Sequence, residues 1–126
     1  MKTYILRAED EFESAKYLFQ NDFYRGTINH CYYACIWLMR GMLAERGIFT
    51  KILDGALAFF EEYFIKKDLL PLTFTKFIYD IVRKYNVKQT DITGDFWYEE
   101  TLYVIEKTEE FLSFVKELAF KADRDN

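Results

Sequence analysis

Residues 31–39 read CYYACIWLM, nine positions in a row without a charge. Residues on either side continue a helical pattern. On a helix, steps of about 100° distribute these nine side chains over every face. A surface helix of a small domain needs only one apolar stripe. This one is either the central helix of a bundle or part of an interface between subunits, and in a chain of 126 residues it can be both. The remaining segments must therefore supply enough apolar faces to enclose it.

Four further segments have the required periodicity. Tyr4, Ala8, Phe12, Ala15, Leu18 and Phe19 recur at three- and four-residue spacing within residues 3–20. The central helix is expected over 23–46, with Asn21 or Asp22 as its N-cap and Gly47 as its left-handed C-terminal residue. A third helix over 51–67 follows Thr50 as cap and ends on Lys66 and Lys67, which suit the negative end of a helix dipole. Pro71 fits the first turn of a fourth, 71–86, with Phe74, Phe77, Ile78, Ile81, Val82 and Tyr85 on one side. A fifth, 96–121, is capped by Asp95 and buries Leu102, Ile105, Phe111, Leu112, Val115 and Leu118. Residues 86–95, NVKQTDITGD, have no period and are expected to form a loop. The fold class is all-α: a single domain, 1–126, built as an antiparallel bundle of about five helices.

Charge and composition narrow the function. A net charge of −4 gives no global field for nucleic acid, although it leaves room for a local basic patch. No apolar run reaches the roughly 18–20 residues of a membrane span. The N-terminus turns acidic by Glu9, unlike a signal peptide, so a cytoplasmic location is expected. Cys31 and Cys35 lie four apart on one helix face and read as core thiols, because a metal would need two further ligands. The carboxylates Glu9, Asp10, Glu11 and Glu13, and those of the last helix, read as solvated faces. No Glu-x-x-His pair suggests a di-metal site. No phosphate loop or dinucleotide fingerprint is present. Neither metal nor cofactor is expected.

Several motifs, taken in order, resemble the HEPN domain family. Asn29, Tyr32, Tyr33 and Ala34 match that family's N-R-x-Y-Y-A signature, and Arg46-Gly47 matches the turn that follows it. Lys51 and Gly55 match a K-T-H-x-G segment, Arg83 takes the place of the family's late arginine, and residues 103–118 resemble its last helix. The resemblance implies a helical bundle; dimerisation through the second helix is expected from the all-round apolar character of residues 31–39. The resemblance also implies a cleft that meets a nucleotide or RNA, and a working partner of the nucleotidyltransferase type in toxin–antitoxin or defence systems.

The departures concern catalysis. Ribonucleases of the family resemble one another in an Arg and a following His with four to six residues between them. After Arg83 the corresponding positions hold Lys88, Gln89 and Thr90. His30, the one histidine, stands where an arginine is usual, while Trp37 and Leu53 stand where histidines are common. Arg25 and His30 have the right separation, but five helical steps place them about 140° apart. The expectation is a non-catalytic binding or interaction module, with a metal-independent ribonuclease toxin as the alternative. Candidate ligand residues are Asn29, His30, Tyr33, Lys51 and Arg83: cations for an anion and an aromatic ring for a base. Candidate dimer contacts are Ile36, Trp37 and Met39.

Overall fold

A computed structural model describes residues 1–50, 53–85 and 96–125. Among these, five α-helices and no strands form the fold: α1 (Lys2–Gln20), α2 (Tyr24–Glu45), α3 (Leu53–Phe60), α4 (Leu72–Arg83) and α5 (Tyr98–Asp125). A π-helical turn, Glu61–Ile65, continues α3. The expected third helix thus changes its winding after Phe60, and α5 runs further than its apolar stripe suggested. The expected loop over 86–95, the cap Asp95 and the candidate Lys51 lie outside the described residues.

α2 is the hub, packing against α1, α3, α4 and α5. That role accounts for most of its all-round apolar character. Ile28, Cys31, Tyr32, Ala34, Cys35, Leu38, Met39, Met42 and Leu43 are all buried, each facing one neighbour or another. Burying this many apolar side chains supplies the main driving force for the fold, at about 25 cal/mol per Å² removed from water. Thr27, Thr101 and Thr108 are also fully buried. Each hydroxyl donates to the carbonyl four residues earlier, Phe23, Trp97 and Val104 respectively, so none is left unsatisfied.

Helix ends differ from the expected caps in an informative way. Phe23 occupies the N-cap position of α2 and makes no side-chain capping bond. Asp22 instead adopts a left-handed conformation, φ 64°, and closes α1. Phe23 N–H donates to Leu18 O and Asp22 N–H to Phe19 O, the paired bonds of a Schellman motif. Gly47, φ 78°, closes α2 with the same pair of bonds, from Ile48 to Leu43 and from Gly47 to Ala44, as its sequence position predicts. The short chain between α1 and α2 serves as the stop of one helix, which leaves it no residue free to cap the next. Pro71 sits just before α4, at its N-cap, with ψ 142°. The Thr50 hydroxyl is buried and caps nothing among the described residues.

α4 and α5 are joined by two tyrosine–carboxylate bonds. Tyr85 donates to Glu100 at 3.1 Å, with Lys84 3.4 Å from the same carboxylate. Tyr103 donates to Asp80 at 3.1 Å, with Lys76 at 3.6 Å. Burial, followed by the adjacent carboxylate, pushes the Tyr103 hydroxyl up to about 12 and raises Tyr85 as well. The folded state therefore holds these protons more tightly than the unfolded chain, whose tyrosines titrate near pH 10. Below that pH they add no pH dependence. Stability should fall as pH rises from about 10 towards 12, and the slope should shrink in Tyr103→Phe and Tyr85→Phe. Urea midpoints measured across that range check this; equal slopes in parent and variants would refute it.

Candidate functional site

Asn29, His30 and Tyr33 occupy the first half of α2, on the part of its surface that the bundle leaves partly open. His30 does not face a cleft alone. Its Nδ1 lies 2.6 Å from Glu11 Oε2 on α1, and both side chains are partly buried. Glu11 was expected on a solvated acidic face; it is instead half of the polar tie across the α1–α2 seam. The sequence contains no local signal for this pairing, since the two residues are 19 apart and meet only because the helices form an antiparallel hairpin.

Tyr33 is 45% exposed and meets Tyr32 edge to face, with ring centroids 5.3 Å apart. Its ring can therefore accept a stacking partner from solvent. Arg83 is exposed near the end of α4, its guanidinium 4.7 Å from the Tyr79 ring centre. Among the described residues no hydrogen bond, ion pair or ring contact joins Arg83 to Asn29, His30 or Tyr33. Arg25 and His30 diverge as their spacing predicts. Arg25 lies over Phe96, 5.6 Å from its ring centre, whereas His30 turns to α1.

Ile36 and Trp37 leave α2 about 100° apart and serve different neighbourhoods. Ile36 is partly buried against the core. Trp37 leans towards α1, with Tyr4 at 6.1 Å between ring centres. Two guanidinium groups lie against its indole, Arg7 at 5.2 Å and Arg40 at 4.9 Å from the ring centre. Neither arginine stood out in the sequence; the only local trace is the Trp37/Arg40 spacing of three on α2. Met39 does not reach the surface at all. It is 0% exposed, so the run that placed it beside Trp37 as an interface residue places it in the core instead.

The thiols are inert by position. Cys31 and Cys35 are buried and free, with Thr108 within reach of Cys35 at 3.8 Å. Burial pushes the Cys31 thiol up to about 12, and Cys35 is raised further by burial and by its neighbour. A thiol held in this state is no nucleophile at neutral pH. Among the described residues no three His, Cys, Asp or Glu side chains converge as a metal would require. No helix among them is long and apolar enough to cross a membrane.

The arrangement leaves the Tyr33 ring exposed on α2 and ties the one histidine to Glu11, away from the Arg25 and Arg83 contacts. Comparison with known proteins adds two relatives from the archaeon Methanocaldococcus jannaschii. The chain is 28% identical to a protein named "Putative toxin MJ0142", over 97% of this chain and 86% of that one. It is 27% identical to "Putative toxin MJ0605", over 86% and 81%. No solved structure matches it. The family model for the HEPN domain matches residues 1–118, so the motif order, the helical bundle and the match agree: this chain belongs to the HEPN domain family.

Proposed function

We propose that this protein is a toxin-like, dimeric HEPN module of the cytoplasm that binds a nucleotide or RNA-like anion without cleaving it. The observation that carries the reading is the fate of His30. The chain has no other histidine, and this one is bound to Glu11, away from both Arg25 and Arg83. Acid–base cleavage of RNA needs a positioned group to take the proton of the attacking hydroxyl. Lys88 could do so at neutral pH only with a strongly lowered pKa. The toxin-like role is supported by family membership and by the names of the two relatives. A nucleotidyltransferase-type protein partner is part of the same reading, on the family resemblance.

Self-association is supported by what the bundle leaves open on α2. Asn29, Tyr33 and Ile36 fall on one stripe of α2, with Tyr33 exposed and Asn29 and Ile36 partly buried. Aromatic residues and arginine are the types enriched at protein interfaces. A second copy meeting this stripe at Ile36 would bury that residue, with Trp37 at the margin and Tyr33 left open.

A second reading, a metal-independent ribonuclease toxin, rests on the family resemblance; the names of the two relatives say toxin and no more. Purified protein incubated with structured and single-stranded RNA in the presence of EDTA separates the two. The expected result is intact RNA. Cleavage that disappears in both Arg83→Ala and His30→Ala would establish the second reading. Sedimentation of the parent protein is expected to give a dimer, and a monomer at all concentrations would remove that part of the proposal.

A further inference from the structure

We infer that Arg7, Arg40 and Trp37 form a site for the phosphate of a nucleotide, with Tyr33 as the stacking surface for its base. The inference rests on the nucleotide-binding reading above. It moves the cationic end of the site from Lys51 and Arg83 to the α1–α2 seam.

Two guanidinium groups lie against one indole, and neither has an ion-pair partner among the described residues. Both guanidinium carbons lie near one indole, at 5.2 and 4.9 Å from its centre, so they are at most about 10 Å apart and repel each other. Two of the nearby carboxylates are engaged elsewhere. Glu11 holds His30, and Glu45 lies 4.0 Å from the N-terminal ammonium. The Nε of Arg40 is in addition withdrawn from water with no acceptor. In a chain of net charge −4 this local excess of positive charge stands out. A buried donor and two unneutralised forks together call for an oxyanion with several acceptor oxygens.

Rigidity and an aromatic neighbour favour a nucleotide as the source of that oxyanion. Gly41 brings α2 so close to Tyr4 that the Tyr4–Trp37 contact fixes the indole between the helices. Both guanidinium groups lie over this ring, held between α1 and α2 by its contact with Tyr4, and a guanidinium keeps its planar donor fork when it rests on an aromatic face. Tyr33 lies one helical turn before Trp37 and is 45% exposed. A nucleoside phosphate can place its phosphate on Arg7 and Arg40 and its base on Tyr33. The same unit occurs in a free nucleotide and in single-stranded RNA, and the two sources share this chemistry.

The test uses the Trp97→Phe protein, in which emission reports Trp37 alone. ATP and a short oligoadenylate are titrated separately, with calorimetry, far-ultraviolet circular dichroism and sedimentation on the same samples. Binding is expected to change Trp37 emission and to weaken as salt rises. Arg7→Ala with Arg40→Ala should raise Kd by about tenfold or more while the fold is kept. Replacing both by lysine should restore only part of the affinity, because the fork is lost. Lys116→Ala, on the α1–α5 side where it pairs with Glu9, should bind as the parent does. Tighter binding of ATP than of oligoadenylate identifies a free nucleotide as the source, and the reverse identifies RNA. Unchanged Kd in the double alanine variant overturns this site and leaves nucleotide binding standing. No binding by the parent overturns both. Unchanged Kd together with a dimer that falls apart assigns the arginines to a second copy and overturns the inference.

Discussion

Replacing Gly41 by valine should cost about 1–3 kcal/mol, read as a lower urea midpoint at constant slope. A Cβ at this position would lie 2.9 Å from the Cβ of Tyr4, with Tyr4 Cγ at 3.5 Å and Met1 Cγ at 3.6 Å. The nearest atom is tied to the backbone of α1 and cannot swing aside, so α1 itself must shift. α1 and α2 share the core of the bundle, and the shift would propagate to Trp37 through its contact with Tyr4. Valine also forfeits any helix-propensity gain that alanine would bring over glycine. Gly26 provides the internal comparison. Its Cβ would meet Leu18 Cδ1 at 2.9 Å, the end of a flexible side chain that can rotate away. Gly26→Ala should therefore be close to neutral. Equal losses at the two glycines would show that the backbone approach at Tyr4 does not set the helix spacing.

The same comparison shows what a sequence can reveal. The apolar periods of α1, α4 and α5 identify helices and their buried sides because burial follows spacing along one element. Gly47 announces a left-handed residue because glycine alone takes that conformation without penalty. Asp22 gives no such notice. It resembles an N-cap, and only the chain's path shows that its position belongs to the preceding helix. The π-helical turn after Phe60 is equally silent, because both windings use the same residues. The candidate site is less legible for a similar reason. Asn29, His30 and Tyr33 share one helix and could be named together, whereas Glu11 and Arg7 join them only through the α1–α2 hairpin, and Arg40, though on α2, gains its meaning only from Arg7 across the same indole. Contacts between residues 19 or 30 positions apart depend on the helix packing, which no local pattern encodes.

Met39→Glu should remove a large part of the protein's stability, whereas Ile36→Glu should leave it nearly unchanged. Both residues belong to the apolar run of α2, and from the run alone both are interface residues. In the structure Met39 is 0% exposed and sits in the core, while Ile36 is only partly buried at its edge. A carboxylate at 39 would have to lose its charge or drag water into the bundle, at a cost of roughly 3–5 kcal/mol. Domains of this kind are stable by only about 5–15 kcal/mol, so the loss is a large part of the whole. A glutamate at 36 can reach solvent from the helix surface. Its effect should fall on association: circular dichroism and the urea midpoint stay near the parent values, while sedimentation shifts towards monomer. The pair thus separates folding from assembly on neighbouring turns of a single helix. A Met39→Glu protein with the parent's urea midpoint would contradict the placement of Met39 in the core of the bundle. An Ile36→Glu protein that sediments as a dimer would place the subunit contact on another face and leave the open stripe of α2 to the ligand alone.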